Sequence, residues 1–153
     1  MTSEGRLLLT AGGLLLYSST GKRGRRILLP TGLYPEHAVQ APSGEFIVTL
    51  KEGTTSCVLH QLTSAGGQLR WRDISALLDR SGPYQITTPR LAVDSRGRVY
   101  LVEFYSSNLL VLDATLQVVP ELGSRLPFIG PTSIAFSHPD RLIILSGSTM
   151  AKW

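Results

Sequence analysis

Residues 89–119 read PRLAVDSRGRVYLVEFYSSNLLVLDATLQVV, and their punctuation decides the fold. Apolar runs at 91–93, 98–102, 109–112 and 117–119 are split by a turn at 94–97, a Ser-Ser-Asn loop and a second turn opened by Asp113. Each run is three to five residues and rich in Val, Leu and Tyr, while a 3.6-residue apolar period is absent; such runs bounded by Gly, Ser and Asp read as strands. Four antiparallel strands with short connections form one small sheet.

The same unit recurs outward in both directions. His37-Ala38-Val39 followed by Ser43-Gly44-Glu45-Phe46-Ile47-Val48 matches Leu91-Ala92-Val93 followed by Arg96-Gly97-Arg98-Val99-Tyr100-Leu101, with one extra residue expected in the turn. Ala65-Gly66-Gly67-Gln68 matches the second turn. Ile134-Ala135-Phe136 and Asp140-Arg141-Leu142-Ile143-Ile144 repeat the first two strands, and at the front Arg6-Leu7-Leu8-Leu9 and Leu14-Leu15-Leu16-Tyr17 match the second and third. Ala38, Ala92 and Ala135 lie 54 and 43 residues apart. A four-stranded unit at a period of about 40 to 50 residues is the mark of a β-propeller blade. The small residue suits an innermost strand, where strands crowd together. The reading is therefore all-β, a partial β-propeller, an open arc of about three four-stranded antiparallel blades. Its units fall at about 1–30, 34–72, 88–120 and 130–153, and residues 73–87 form a loop insertion. There Asp73 is expected to cap one helical turn over 74–78, stopped by Gly82-Pro83.

Composition agrees. The chain has 153 residues, 42% hydrophobic and 17% charged, which excludes a collagen, a coiled coil or a polar tail. Cys57 is the one cysteine, so no internal disulfide and no Cys-based zinc site is available, and a reducing, cytoplasmic setting is expected. The apolar stretch 7–17 falls short of the roughly 20 residues that span a bilayer. A signal peptide is the alternative there, but Glu4 and the split at Thr10-Ala11-Gly12-Gly13 favour two strands around a Gly-Gly turn.

The motif P-x-x-[LI]-A-V-D-x-x-G-x-[VF]-Y-[LV]-V-[DE], an Asn-containing loop and V-x-L-D resembles NHL repeats, which build six-bladed propellers. Residues 91–113 carry almost the full motif, and Gly32-Leu33-Tyr34-Pro35-Glu36-His37-Ala38-Val39 with Ser43-Gly44 is similar to invertebrate NHL proteins associated with tripartite-motif ubiquitin ligases. The resemblance implies a substrate-recognition part of such a ligase. Ligase activity itself would lie outside this chain, because one cysteine supplies no RING or B-box.

Related propellers use carboxylates and imidazoles from several blades as a hydrolase or lyase centre. Glu103 holds the candidate position, with counterparts Ala11, Leu50 and Ser146, and His37 is the histidine best placed to join it; His60 and His138 are not equivalent to it in the repeat. Those counterparts are poor ligands, so neither a metal nor any other cofactor is expected, and the structural role is favoured. No G-x-S-x-G, phosphate loop or H-E-x-x-H is present. Cys57 reads as a buried small hydrophobe, and Asp94 and Asp113 as turn caps.

The formal charge is +4, and twelve of the fifteen basic residues are arginine. Gly21-Lys22-Arg23-Gly24-Arg25-Arg26 is the densest run, expected in the turn between third and fourth strands, on the same side as Arg96 and Arg98. That patch is the candidate surface for single-stranded RNA. The aromatic residues that would stack bases, Tyr34, Tyr84 and Tyr105, fall in connections at the other end, which weakens the RNA reading. The favoured function is a non-catalytic protein-binding scaffold with no membrane role. Its contact residues are Tyr34, Lys51, Tyr84, Arg90, Phe104 and Tyr105, since Arg and aromatic side chains most often anchor interfaces.

Strand counting gives three, four, four and two. Fewer strands than a ring requires points to a piece of a longer propeller; the alternative is a homodimer that completes a six-bladed ring through unpaired strand edges.

Overall fold

The computed structural model describes residues 7–10, 13–17, 20, 22–29, 34–52, 56–78, 89–105, 107–128, 130–137, 140–147 and 150–152. The chain divides into two compact units, Met1–Ser75 and Ala76–Trp153.

The first unit holds two antiparallel sheets. One is β1 (Leu7–Thr10), β2 (Leu14–Tyr17) and β3 (Arg23–Ile27), paired in that order; the other is β4 (Tyr34–Gln40), β5 (Phe46–Glu52), β6 (Ser56–Leu62) and β7 (Gln68–Asp73), also in chain order. Alternation along the strands sends one side chain in two to a shared core: Leu14, Leu16 and Ile27 from the first sheet meet Phe46, Val48, Leu50 and Leu62 from the second. β7 leads into a turn in which Ser75 N–H donates to Asp73 Oδ1 at 2.8 Å. The expected capping bond is therefore present, but 74–78 is a turn and no helix. Ile74 N–H continues the β6–β7 ladder to the Cys57 carbonyl at 3.0 Å, and the strand pairing wins over the helical alternative.

The second unit repeats the plan. β8 (Arg90–Val93), β9 (Val99–Val102), β10 (Asn108–Leu112) and β11 (Ser124–Arg125) make one sheet; β12 (Pro131–Ser137), β13 (Arg141–Ser146) and β14 (Met150–Lys152) make the other. Ala92, Tyr100, Val102, Leu109 and Val111 pack on Ile134, Leu142 and Ile144, with Phe128 and Phe136 at the margin. Tyr100 meets Phe136 edge to face at 4.9 Å. The last sheet has three strands where two were expected.

The fourth strand of the third sheet is also not where the apolar run placed it. Val118 makes only an isolated bridge to Leu112 and Val119 N–H reaches the Val111 carbonyl at 2.9 Å. Pro120 then removes a ladder donor, a 3-10 turn spans Pro120–Leu122, and pairing resumes at Ser124 and Arg125 opposite Leu109 and Asn108.

One hairpin turn recurs through both units. In 41–45, 63–67, 94–98 and 113–117 the fourth residue N–H donates to the first carbonyl, and the first N–H donates to the fifth carbonyl, at 2.7–3.1 Å. The fourth residue takes positive φ: Gly44, Gly66, Gly97 and, without glycine, Leu116 at +63°. This is a tight turn closed by a left-handed residue. Asp140, φ +48°, holds the same place between Ser137 and Arg141. Equal turns at 41–45 and 94–98 correct the repeat alignment. The extra residue of the second unit is a bulge between Pro35 and His37, so Val39, not Ala38, corresponds to Ala92, and Leu50 still corresponds to Glu103. The small-residue rule for innermost strands fails accordingly, and Ala135 is exposed.

Candidate partner-binding surface

Every first-to-second and third-to-fourth turn lies at one end of its sheet, which leaves the opposite end to the irregular connections. In the third sheet that end is built where β9 stops at Val102. Glu103 is still buried, 3% exposed, and the next two residues swing outward: Phe104 and Tyr105 are 45% and 47% exposed. Their rings meet edge to face, with centroids 5.1 Å apart and planes at 89°. Gly130, φ +69°, lies beside the Phe104 ring; a Cβ there would make ordinary contact with the ring at 3.5 Å, so glycine is needed for the backbone angle. Leu126 N–H donates to the Ser107 carbonyl at 2.5 Å, fastening the same connection to the segment after β11. Arg90 stands opposite Val102 in the register, exposed, at the mouth of the same end. Two half-exposed aromatic rings held in place and a guanidinium form an anchor of the composition that protein interfaces favour.

The equivalent end of the second sheet holds another expected pair. Tyr34 and Lys51 are direct cross-strand partners at the far end of β4 and β5, and Tyr34 is strongly exposed. Lys51 corresponds to Phe104 in the repeat; β5 runs on to Glu52, so a strand residue stands where the third sheet has already turned into a loop. Tyr84 lies outside the described residues. The structure thus places the described members of the expected set at the same end of two sheets, Tyr34 and Lys51 in one unit and Arg90, Phe104 and Tyr105 in the other.

The basic residues are arranged differently from expectation. Arg23, Gly24, Arg25 and Arg26 belong to β3 rather than to a turn, since Arg23 pairs with Tyr17 and Arg26 with Leu15. Arg25 donates from its guanidinium to the Ser64 carbonyl, and the Gly66 turn abuts Ile27. Arg98 is spent on Asp94: Nε donates to Oδ2 at 2.5 Å, and this bond raises its pKa above the ordinary value. Lys22 and Arg96 are exposed. Lys22, Arg23, Arg25 and Arg26 fall in one unit, and Arg96 and Arg98 in the other.

Asp94 and Asp113 cap their turns as expected. Asp94 Oδ1 accepts Arg96 and Arg98 N–H at 3.0 and 2.9 Å; Asp113 Oδ1 accepts Thr115 and Gln117 N–H at 2.8 and 2.9 Å. Asp140 accepts from Ser95 N–H at 3.0 Å and from its hydroxyl, which holds the Asp140 carboxyl below its usual range. His37 N–H donates to Thr49 Oγ1 at 3.0 Å, a strand-stabilising contact within the Pro35 bulge region. His138 lies outside the described residues. Among the described residues no group of three or more His, Cys, Asp or Glu is gathered as a metal would need.

The fourth strand of the second unit, β7, was expected, but Trp71 on it was not among the expected contact residues. Leu69 and Trp71 are 44% and 60% exposed there, and the only sequence sign was an aromatic between two arginines in Arg70-Trp71-Arg72.

The sequence matches no protein-family model and no curated protein. Solved structures do match. A protein of unknown function from Bacteroides caccae is 17% identical with a TM-score of 0.63, over 95% of this chain and 51% of that one. Virginiamycin B lyase from Staphylococcus aureus is 16% identical with a TM-score of 0.60, over 100% of this chain and 53% of that one. The calcium-binding protein regucalcin from Agrobacterium tumefaciens is 13% identical with a TM-score of 0.57, over 94% and 50%. The chain spans about half the length of the solved structures it matches. Likeness at this identity speaks to fold, and the fold is that of a β-propeller, all-β and partial.

Proposed function

We propose that this propeller segment is a non-catalytic protein-binding scaffold of the NHL type, serving substrate recognition in a longer tripartite-motif-like protein. The observation that carries the reading is the braced Phe104–Tyr105 pair: two rings, each nearly half exposed, set at 89° on a loop that the Leu126–Ser107 bond holds in place. Exposed aromatics on an ordered support cost little entropy to dock. The NHL assignment rests on the motif in residues 91–113. The test is affinity capture followed by mass spectrometry with the unaltered chain, Phe104→Ala/Tyr105→Ala and Arg90→Ala. A defined set of proteins is expected with the unaltered chain and should be lost in both variants while folding is retained; an unchanged set sinks the assignment.

A lyase or hydrolase centre at Glu103 is the second reading, favoured by one observation: a carboxylate only 3% exposed at the end of β9, on a fold shared with a lyase. Substrate depletion that Glu103→Gln abolishes would support it, and a Glu103→Gln chain with full partner capture and no change in any turnover would favour the scaffold.

A further inference from the structure

The outer strand of the second sheet is built unlike a protective edge. β7 is the last strand in the order β4-β5-β6-β7, and among the described residues no strand pairs with its outer side. Edge strands are normally blunted with charge. Arg70 and Arg72 do this on alternate positions, yet between them stands Trp71, 60% exposed.

The hydrogen-bond phase of the ladder says which backbone groups face outward. Ile74 N–H donates to the Cys57 carbonyl, so Ile74 and Cys57 form a hydrogen-bonded pair, and pairs alternate from there. The register 73 to 58, 72 to 59, 71 to 60, 70 to 61 is unbroken; its bulge comes later, between Gln61 and Leu62. Arg72 and Arg70 therefore bond to β6, while Trp71 is in a non-hydrogen-bonded pair with His60 and turns its own N–H and C=O to the open side. Trp71 thus offers a strand-pairing backbone and a large anchor ring at one residue.

The row beneath it is buried. Val48, His60 and Trp71 are successive cross-strand partners running from the core to the rim. His60 is 6% exposed and its Nδ1 has no hydrogen-bond partner. Charge selects the occupant. β7 carries Arg70 and Arg72 against a single acid, Asp73, whose carboxylate already accepts Ser75 N–H at 2.8 Å.

We propose that β7 is a docking edge for a short acidic, extended peptide segment of a partner protein, added as a fifth strand, with Trp71 as anchor and Arg70 reading a carboxylate. This goes beyond the Phe104–Tyr105 surface and does not depend on it.

The test uses the full chain and three fluorescein-labelled eight-residue peptides that alternate valine with glutamate, lysine or serine, read by anisotropy. The glutamate peptide is expected to bind at least tenfold more tightly than the other two. N-methylation of alternate amides should abolish its binding. Trp71→Ala and Arg70→Glu should each weaken it at least tenfold, the latter shifting preference to the lysine peptide. Trp71→Pro removes the ring together with an outward N–H and leaves the ladder bonds to β6, so it should lose binding with its sheet intact by circular dichroism; should it unfold, the other two variants decide.

Absent binding, equal affinity for acidic and basic peptides, or indifference to Trp71→Ala and Arg70→Glu would overturn the proposal. So would a concentration-dependent dimer in sedimentation that Trp71→Ala disperses, because a second copy would then be the occupant. Trp71-dependent binding of oligouridylate in place of the peptide would assign the edge to RNA and equally overturn it.

Discussion

Arg98 reaches back four residues to Asp94, Nε to Oδ2 at 2.5 Å, and closes the same turn that the Asp94 backbone begins. The carboxylate side chain is 1% exposed and serves four donors: Arg98 Nε, the N–H groups of Arg96 and Arg98, and Tyr100 Oη at 3.3 Å. Arg98 also lies 5.9 Å over the Tyr100 ring. An arginine that reads as a nucleic-acid contact in the sequence is a structural strut.

Removing the acceptor strands those donors. Asp94→Ala should cost about 2–4 kcal/mol, the scale of leaving buried donors and a charge without a partner. Arg98→Ala should cost less, because that guanidinium is partly exposed and Asp94 keeps its backbone donors. Urea denaturation of both variants and the double variant checks this; additive losses would show that the pair does not couple.

Two glycines in equivalent turns separate backbone strain from crowding. Gly44 and Gly66 have φ +89° and +93°, but a Cβ at Gly44 meets nothing within 4 Å while one at Gly66 falls 2.5 Å from Ile27 Cγ2. Gly44→Ala should cost about 1–2 kcal/mol for the left-handed backbone alone. Gly66→Ala should cost about 1–3 kcal/mol more for overpacking. The excess should shrink when Ile27→Ala is added, and equal losses at the two glycines would refute the contact.

His60 predicts a mildly acid-sensitive fold. Burial lowers its pKa below the ordinary 6.5, against a smaller raising effect of the hydrogen bond it donates to the Gln68 side chain. The unfolded chain therefore binds the proton first. Stability should be flat above about pH 7, decline as pH falls through about 6.5, and level off below the depressed folded value. His60→Phe should flatten that stretch of a stability-versus-pH curve. Asp140 acts in a separate window: its lowered pKa gives stability present above its usual 3.8 and lost as pH falls through the folded value.

Cys57, buried on β6, predicts slow reaction with a neutral disulfide reagent in the native chain. Labelling should need opening of the second sheet and should accelerate with urea in parallel with unfolding. Fast labelling without denaturant would place the thiol at the surface.

Much of the scaffold was legible because it depends on local chemistry. Gly97, Asp94 and Asp113 announce their turns, and the short apolar run Val-Tyr-Leu-Val of 99–102 announces a strand. The errors lie in which segments find a strand to pair with. Arg23 to Arg26 looked like part of a basic turn, yet β2 supplies a ladder for them. Gln117 to Val119 looked like a strand, yet Pro120 cuts its ladder after one bridge. The candidate surface was half legible. Phe104, Tyr105 and Arg90 were named from type and position, while Trp71 was not, because strand periodicity shows that a residue faces out but not whether another strand covers it.

The sequence by itself determined the all-β class, the repeat and the propeller-blade plan, since turn residues and short apolar runs act over five residues or fewer. Only the tertiary structure decided which charges are left for a partner and which edge is left open. Arg98 and Arg25 are consumed by acceptors at Asp94 and Ser64, and Trp71 is presented by the hydrogen-bond phase set at Ile74 and Cys57. Those outcomes depend on groups brought together across strands, and no local pattern encodes them.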